Sequence, residues 1–306
     1  MALAFIPSDA GLLALQAGVV ASPRVVPRIA IAQRLRSRAW ALLPIASIVG
    51  AIFAIRYMSD TATGLTYLAL IAVPPLACAA LGWASRGCRP LAAIAALPLF
   101  ILAWAAGGSL AGDAAGALLS ALSCVTLGVL LAAVTPARWL KLGILLMAGA
   151  DTWLVISDLL QAPNATLVAA QPAGGLPQLQ SELLGNVSLG YGDLFVAGLL
   201  GAVLAADRRR QWRAALLTLA IAAVFDLLFL VISELPATVP VALALITDQL
   251  WEKASGAWRS RAARHRAYLN GGPVAPGSRM TRERPVPARP DAEPAPSPSR
   301  RRQNAQ

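Results

Sequence analysis

The sequence predicts an all-α protein, a polytopic bundle of transmembrane helices. Two observations carry this. Of the 306 residues, 57% are hydrophobic and only 13% charged, whereas a soluble domain carries about 45–50% apolar and about 25% charged residues. The charges also fall in short clusters, and the apolar runs between them approach the roughly 20 residues that a spanning helix needs. Eight such runs are clear: 39–55, 62–84, 90–107, 114–134, 139–161, 187–206, 214–233 and 236–252. A ninth, 3–22, is interrupted by Ser8, Asp9 and Gln16.

The first run lacks the basic n-region of a signal peptide: no Lys or Arg precedes Arg24, and the basic cluster follows it. It reads as a retained first helix entering from outside. Basic clusters at Arg24–Arg38, Arg86–Arg89, Arg138–Lys141, Arg208–Arg213 and from Lys253 onward alternate with loops that are poor in Lys and Arg: 56–61, 108–113, 162–186 and the turn near Glu234. The positive-inside rule places the basic loops and the C-terminus in the cytoplasm.

The membrane bundle is expected over 1–253 and a disordered basic tail over 254–306, because Arg, Pro, Ala and Ser in that proportion do not bury a core. The tail carries much of the net charge of +11 and reads as a topology anchor that contacts anionic lipid, with no nucleic-acid partner expected. Lysine occurs only at Lys141 and Lys253 while Arg and Ala abound. That is the composition of a high-GC bacterial genome, and it points to a bacterial plasma membrane.

The polar inventory removes several chemistries. The one histidine, His265, lies in the tail, so no membrane-embedded Ser–His or Cys–His pair and no His-ligated zinc site is available. Cys78, Cys88 and Cys124 show no metal spacing and read as small packing residues. No metal or organic cofactor is expected. What remains is carboxylates in apolar runs: Asp151 and Asp158 in 139–161, Asp193 in 187–206 and Asp226 in 214–233. A charge at the bilayer centre costs about 2.5–3.5 kcal/mol on translocon scales, so such residues mark functional sites or paired packing contacts. Gly190-Tyr191-Gly192-Asp193 is the most informative. Two glycines ahead of an intramembrane aspartate let another helix backbone approach and loosen the helix around the carboxylate.

These residues resemble the motifs of the presenilin and signal peptide peptidase family of intramembrane aspartyl proteases. Ala150-Asp151-Thr152-Trp153-Leu154-Val155 is similar to that family's first catalytic motif, Gly190-Tyr191-Gly192-Asp193 to its Gly-x-Gly-Asp, and Leu235-Pro236-Ala237-Thr238-Val239-Pro240-Val241-Ala242-Leu243 to its Pro-Ala-Leu. The order agrees, and the motifs fall in helices six, seven and nine when 3–22 is counted. The resemblance covers roughly 139–252, and the first five helices match in number only. Ala150 stands where the family has Tyr, which leaves both Asp151 and Asp158 open as partner to Asp193. The third motif reads Pro236-Ala237-Thr238 or, shifted, Pro240-Val241-Ala242-Leu243. Asp151 and Asp158, seven residues apart, lie on nearly one helix face. Depths of roughly 15 Å for Asp151, 9 Å for Asp193 and 4–5 Å for Asp158, at about 1.5 Å per residue from the expected outer helix ends, favour Asp151.

The resemblance implies an Asp151–Asp193 dyad with a water between, supported by Gly190, Tyr191, Gly192, Pro236, Ala237 and Thr238. The implied substrates are transmembrane segments with cytoplasmic N-termini, including remnant signal peptides, since the orientation matches signal peptide peptidases rather than presenilins. Three other readings stay open. A prepilin-type aspartyl peptidase also carries Gly-x-Gly-Asp, but usually with lysine after the Asp, where this chain has Leu194 and Phe195, and it acts at the cytoplasmic face. A transporter or proton pathway would use Asp151, Asp193 and Asp226; inverted repeats would mark it, and none is visible. The third is a non-catalytic scaffold.

Overall fold

The computed structural model describes residues 7–25, 34–57, 60–157, 159, 161–184, 187–230 and 236–269. The chain divides into two units, Met1–Ala254 and Ser255–Gln306. Ten α-helices are described: α1 Pro7–Ala21, α2 Leu43–Tyr57, α3 Thr61–Ala79, α4 Ala96–Ala105, α5 Leu110–Val134, α6 Ala137–Ile156, α7 Gln161–Ala169, α8 Tyr191–Leu204, α9 Arg208–Asp226 and α10 Val239–Leu269. Among the described residues four helical stretches are long and apolar enough to cross a membrane: Arg38–Ile55, Thr61–Ala84, Leu110–Val134 and Ala137–Ile156. Three more, Ser8–Ala21, Pro90–Ala105 and Tyr191–Leu204, are apolar but shorter.

α5 is the central element of the first unit. Its small residues Gly112, Ala115, Gly116, Ala117, Ala121 and Gly128 are buried, which lets neighbouring helices come close. The closest approach is to α8. A Cβ on Gly128 would lie 2.5 Å from the backbone of Gly198, and one on Gly198 would lie 2.5 Å from the Cys124 carbonyl oxygen. The two backbones therefore touch, and neither position has room for a side chain. The same helix carries a row of buried hydroxyls that reach outward to other segments. Ser120 donates to the Leu179 carbonyl (3.2 Å), Ser123 shares a hydrogen bond with the Tyr191 hydroxyl (2.7 Å) and Thr126 donates to the Leu76 carbonyl (2.8 Å). α3 contains Pro74 and Pro75 and widens at its end into a turn in which Ser85 N–H bonds to the Ala80 carbonyl.

The basic loops gather at one end of this unit. Arg86 donates to the Gln211 side chain (2.7 Å) and to the Ala205 carbonyl, and Gln211 in turn donates to the carbonyls of Pro23 (2.8 Å) and Gly201 (3.1 Å). Beside it, fully buried Asp248 on α10 accepts from Arg210 and Arg213 of α9, and Arg210 also reaches Glu252. A buried carboxylate is tolerable only when paired in this way, so the cluster fixes α10 against α9.

The structure departs from the sequence reading in several places. The run 187–206 is not one helix: Val187–Gly190 is a strand, β2, paired antiparallel with β1, Ser181–Leu184, in the register Ser181↔Gly190 to Leu184↔Val187. Four residues are too few for periodicity to separate strand from helix. The run 236–252 starts its helix only at Val239, with Pro240 in the first turn, where a missing N–H costs nothing. The loop 162–186 contains α7 and β1. The stretch 254–269, expected to be disordered, is the continuation of α10. It holds several Ala and Arg and no proline, which favours helix. The segment 3–22, interrupted by polar residues, supplies α1, whose Leu12, Ala17, Val19 and Val20 are buried in the bundle.

The α5–α8 contact yields a stability prediction. Gly198→Val should lower unfolding free energy in mixed micelles by about 1–3 kcal/mol, because the new side chain has only backbone to displace. Gly64→Ala in α3, where a Cβ meets nothing within 4 Å, should be neutral or slightly stabilising.

Candidate active site

The site is built where three chain segments end or begin. The first is the last third of α6. Asp151 lies five residues before its end at Ile156, about 7–8 Å along the axis. This is shallower than the depth expected from a helix running to 161. The second is the start of α8. Asp193 is the third helical residue, in the first turn, about 3 Å from the helix start. Its Oδ2 accepts the Gly190 backbone N–H at 3.1 Å. An acidic residue there is favoured locally, because it satisfies an orphan donor and faces the positive end of the helix dipole. The third is the short non-helical segment Pro236–Thr238 ahead of α10. Thr238, almost fully buried, donates both its hydroxyl (2.6 Å) and its backbone N–H (3.4 Å) to Oδ2 of Asp151.

The two aspartates are half-buried and interact electrostatically with each other. The site residues named from the sequence therefore meet in pairs. Gly190 holds Asp193, Thr238 holds Asp151, and the charges of Asp151 and Asp193 lie close enough to interact. The Tyr191 hydroxyl shares a hydrogen bond with Ser123 on α5, which anchors the start of α8. Pro236 and Ala237 lead into Thr238 and are half-buried. The shifted motif places Pro240 and Val241 inside α10, both buried, so the residue that reaches Asp151 comes from Pro236-Ala237-Thr238. Asp158, the alternative partner, lies outside the described residues. Asp226, at the end of α9, interacts with Asp9 of α1.

One expectation about the glycines is corrected. The close helix approach assigned to Gly190 lies further along α8, at Gly198 and at Gly201, whose Cβ would fall 2.3 Å from the Val20 carbonyl oxygen. At Gly190 the only atoms within 4 Å of a Cβ belong to Asp193, the nearest its carboxyl oxygen at 3.0 Å. Gly190 thus leaves room for the carboxylate rather than for a second helix.

Two contributors escaped the sequence reading. Gln16 of α1 is 1% exposed and donates its side-chain amide to the Ala237 carbonyl at 3.0 Å. Ser123 holds Tyr191. A polar residue in an otherwise apolar run was the available signal for Gln16, since such residues face a partner rather than lipid. Among the described residues no three His, Cys, Asp or Glu side chains converge, and the reactive groups the site offers are the two carboxyls.

No protein-family model, no curated protein and no solved structure matches the chain.

The Thr238–Asp151 bond is testable without any assay of activity. In a double-mutant cycle of unfolding free energies, Thr238→Val and Asp151→Ala should couple by about 1–2 kcal/mol, the worth of hydrogen bonds to a charged acceptor. Thr238→Val and Asp226→Ala should add within about 0.5 kcal/mol.

Proposed function

We propose that the chain is an intramembrane aspartyl protease that hydrolyses peptide bonds within transmembrane segments or remnant signal peptides. The observation that carries this reading is that Asp193 is held at a helix cap by the Gly190 N–H and Asp151 from a second segment by Thr238, each by a donor to one carboxyl oxygen, with their charges close enough to interact. The resemblance of 150–155, 190–193 and 235–243 to the presenilin and signal peptide peptidase motifs supports it from the sequence.

The chemistry follows from two carboxyls sharing a site. Like charges that close do not both ionise readily, so one carboxyl keeps its proton. The ionised member takes a proton from a water held between them as the water oxygen attacks the scissile carbonyl carbon. The protonated member gives its proton to the carbonyl oxygen, which becomes a hydroxyl. Collapse of the tetrahedral intermediate re-forms the carbonyl as a hydroxyl proton returns to the carboxylate that had given one up, the C–N bond breaks, and the proton taken from water passes to the leaving nitrogen. A helical substrate hides its carbonyls in its own hydrogen bonds and must unwind before attack. β2, which ends at Gly190, offers extended backbone that an unwound substrate strand can pair with. Both carboxyls lie near helix ends, which shortens the path by which water reaches them.

The proposed orientation has the basic loops and the C-terminus in the cytoplasm, in a bacterial plasma membrane. The clustering of Pro23, Arg86, Gln211, Arg210 and Arg213 at one end of the bundle supports a single positive face. In that orientation the substrates are transmembrane segments with cytoplasmic N-termini.

Asp193→Asn and Asp151→Asn should each abolish cleavage of a type II transmembrane substrate in liposomes, because each keeps the side-chain shape and removes half of the acid–base pair. Pro236→Ala should slow cleavage several-fold without unfolding the protein, since helix would then extend into the segment that presents Thr238 to Asp151. Full activity in Asp193→Asn would exclude the aspartyl-protease reading.

A further inference from the structure

Gln16 is a buried polar side chain, 1% exposed, that the mechanism above leaves unused. It sits in α1, more than two hundred residues from the segment it touches, and its amide nitrogen donates to the Ala237 carbonyl at 3.0 Å. The next residue, Thr238, donates from its hydroxyl and its backbone N–H to Asp151. The chain of contacts runs from α1 through two consecutive residues of an irregular segment to a carboxyl oxygen of the dyad.

From this geometry we infer that Gln16 is a positioning residue for the dyad: it fixes the 236–238 segment so that Thr238 holds Asp151 in register with Asp193. The inference rests on the protease reading for its catalytic consequence and on the geometry alone for its structural one. The physical need is clear. Irregular backbone in a bilayer has carbonyls that no helix satisfies. A carbonyl at 237 without a donor would draw the segment toward water or into a helical turn, and the Thr238 hydroxyl would move with it. Displacements of about 1 Å at a reacting group cost on the order of 100-fold in rate. A buried amide in the first helix therefore sets the geometry of an acid–base pair carried by α6 and α8. The rest of α1 holds Gln16 in place: Val20 and Ala17 are buried, and Gly201 of α8 has no room for a side chain beside Val20.

The test uses the full-length chain in liposomes with Gln16→Met, which keeps the length of the side chain and removes the donor, and Gln16→Asn, which keeps the donor on a shorter reach. Two readouts are taken. The first is cleavage kinetics: kcat should fall about tenfold or more in Gln16→Met with KM unchanged within about twofold, the signature of a group that acts only on the chemical step. A packing defect would instead lower the fraction of active enzyme, which active-site titration measures. The second readout needs no activity. In a background with Cys78, Cys88 and Cys124 replaced by alanine, an Ala237→Cys thiol should react with a small maleimide about tenfold faster when Gln16→Met is added, and by a smaller factor with Gln16→Asn. An unchanged labelling rate overturns the inference, and so does faster labelling with unaltered kcat. If the parent chain cleaves nothing under any condition, the protease reading fails, and the labelling arm still decides whether Gln16 fixes the segment.

Discussion

Backbone that leaves regular structure inside a packed bundle must find partners for its polar groups, and the candidate site of this chain is where that requirement is met twice. The backbone is non-helical at 187–190 and again at 236–238. In the first break the Gly190 N–H is taken by Asp193; in the second the Thr238 N–H is taken by Asp151 and the Ala237 carbonyl by Gln16. The side chains that satisfy the broken backbone are the same ones that bring two carboxyls together. Backbone irregularity and candidate chemistry are one arrangement here, and removing either undoes the other.

The remainder of the first unit holds those breaks in register. α5 and α8 touch backbone to backbone at Gly128 and Gly198, which fixes the height of Asp193 relative to the core. Ser123 and Tyr191 pin the start of α8 to α5. At the far end, the Asp248–Arg210–Arg213 cluster locks α10 to α9, and α10 carries the 236–238 segment at its start. Small residues set the distances and buried polar residues set the register, a division of labour expected where lipid offers no hydrophobic drive between helices.

Much of this was legible in the sequence. Long apolar runs separated by Arg clusters announce membrane helices, and runs such as 62–84 and 114–134 correspond closely to described helices. The two aspartates stood out because charged residues in such runs are costly, and Thr238 stood out through the resemblance of 235–243 to a family motif. What was hidden is physical in origin. Val187–Leu189 is apolar enough to belong to a helix, and only pairing with Ser181–Leu184 makes it a strand. Gln16 read as a flaw in a weak first helix because its partner, Ala237, is a backbone carbonyl that no sequence pattern marks. Gly190 read as a packing glycine, whereas its lack of a Cβ makes room for Asp193. The helical continuation to Leu269 was masked by the Arg- and Pro-rich composition of the whole tail, although the prolines begin only at Pro273.

The central claim is that Asp151 and Asp193 face one another across α6 and α8. Paired cysteine cross-linking tests it most directly. Asp151→Cys and Asp193→Cys, combined in a background in which Cys78, Cys88 and Cys124 are alanine, should form an intramolecular disulfide under mild oxidation in native membranes, visible as two fragments held together after cleavage at a protease site inserted between 170 and 178. The same test with Asp226→Cys in place of Asp151→Cys should give free fragments. A cross-link to position 226 and none to position 151 would contradict the account.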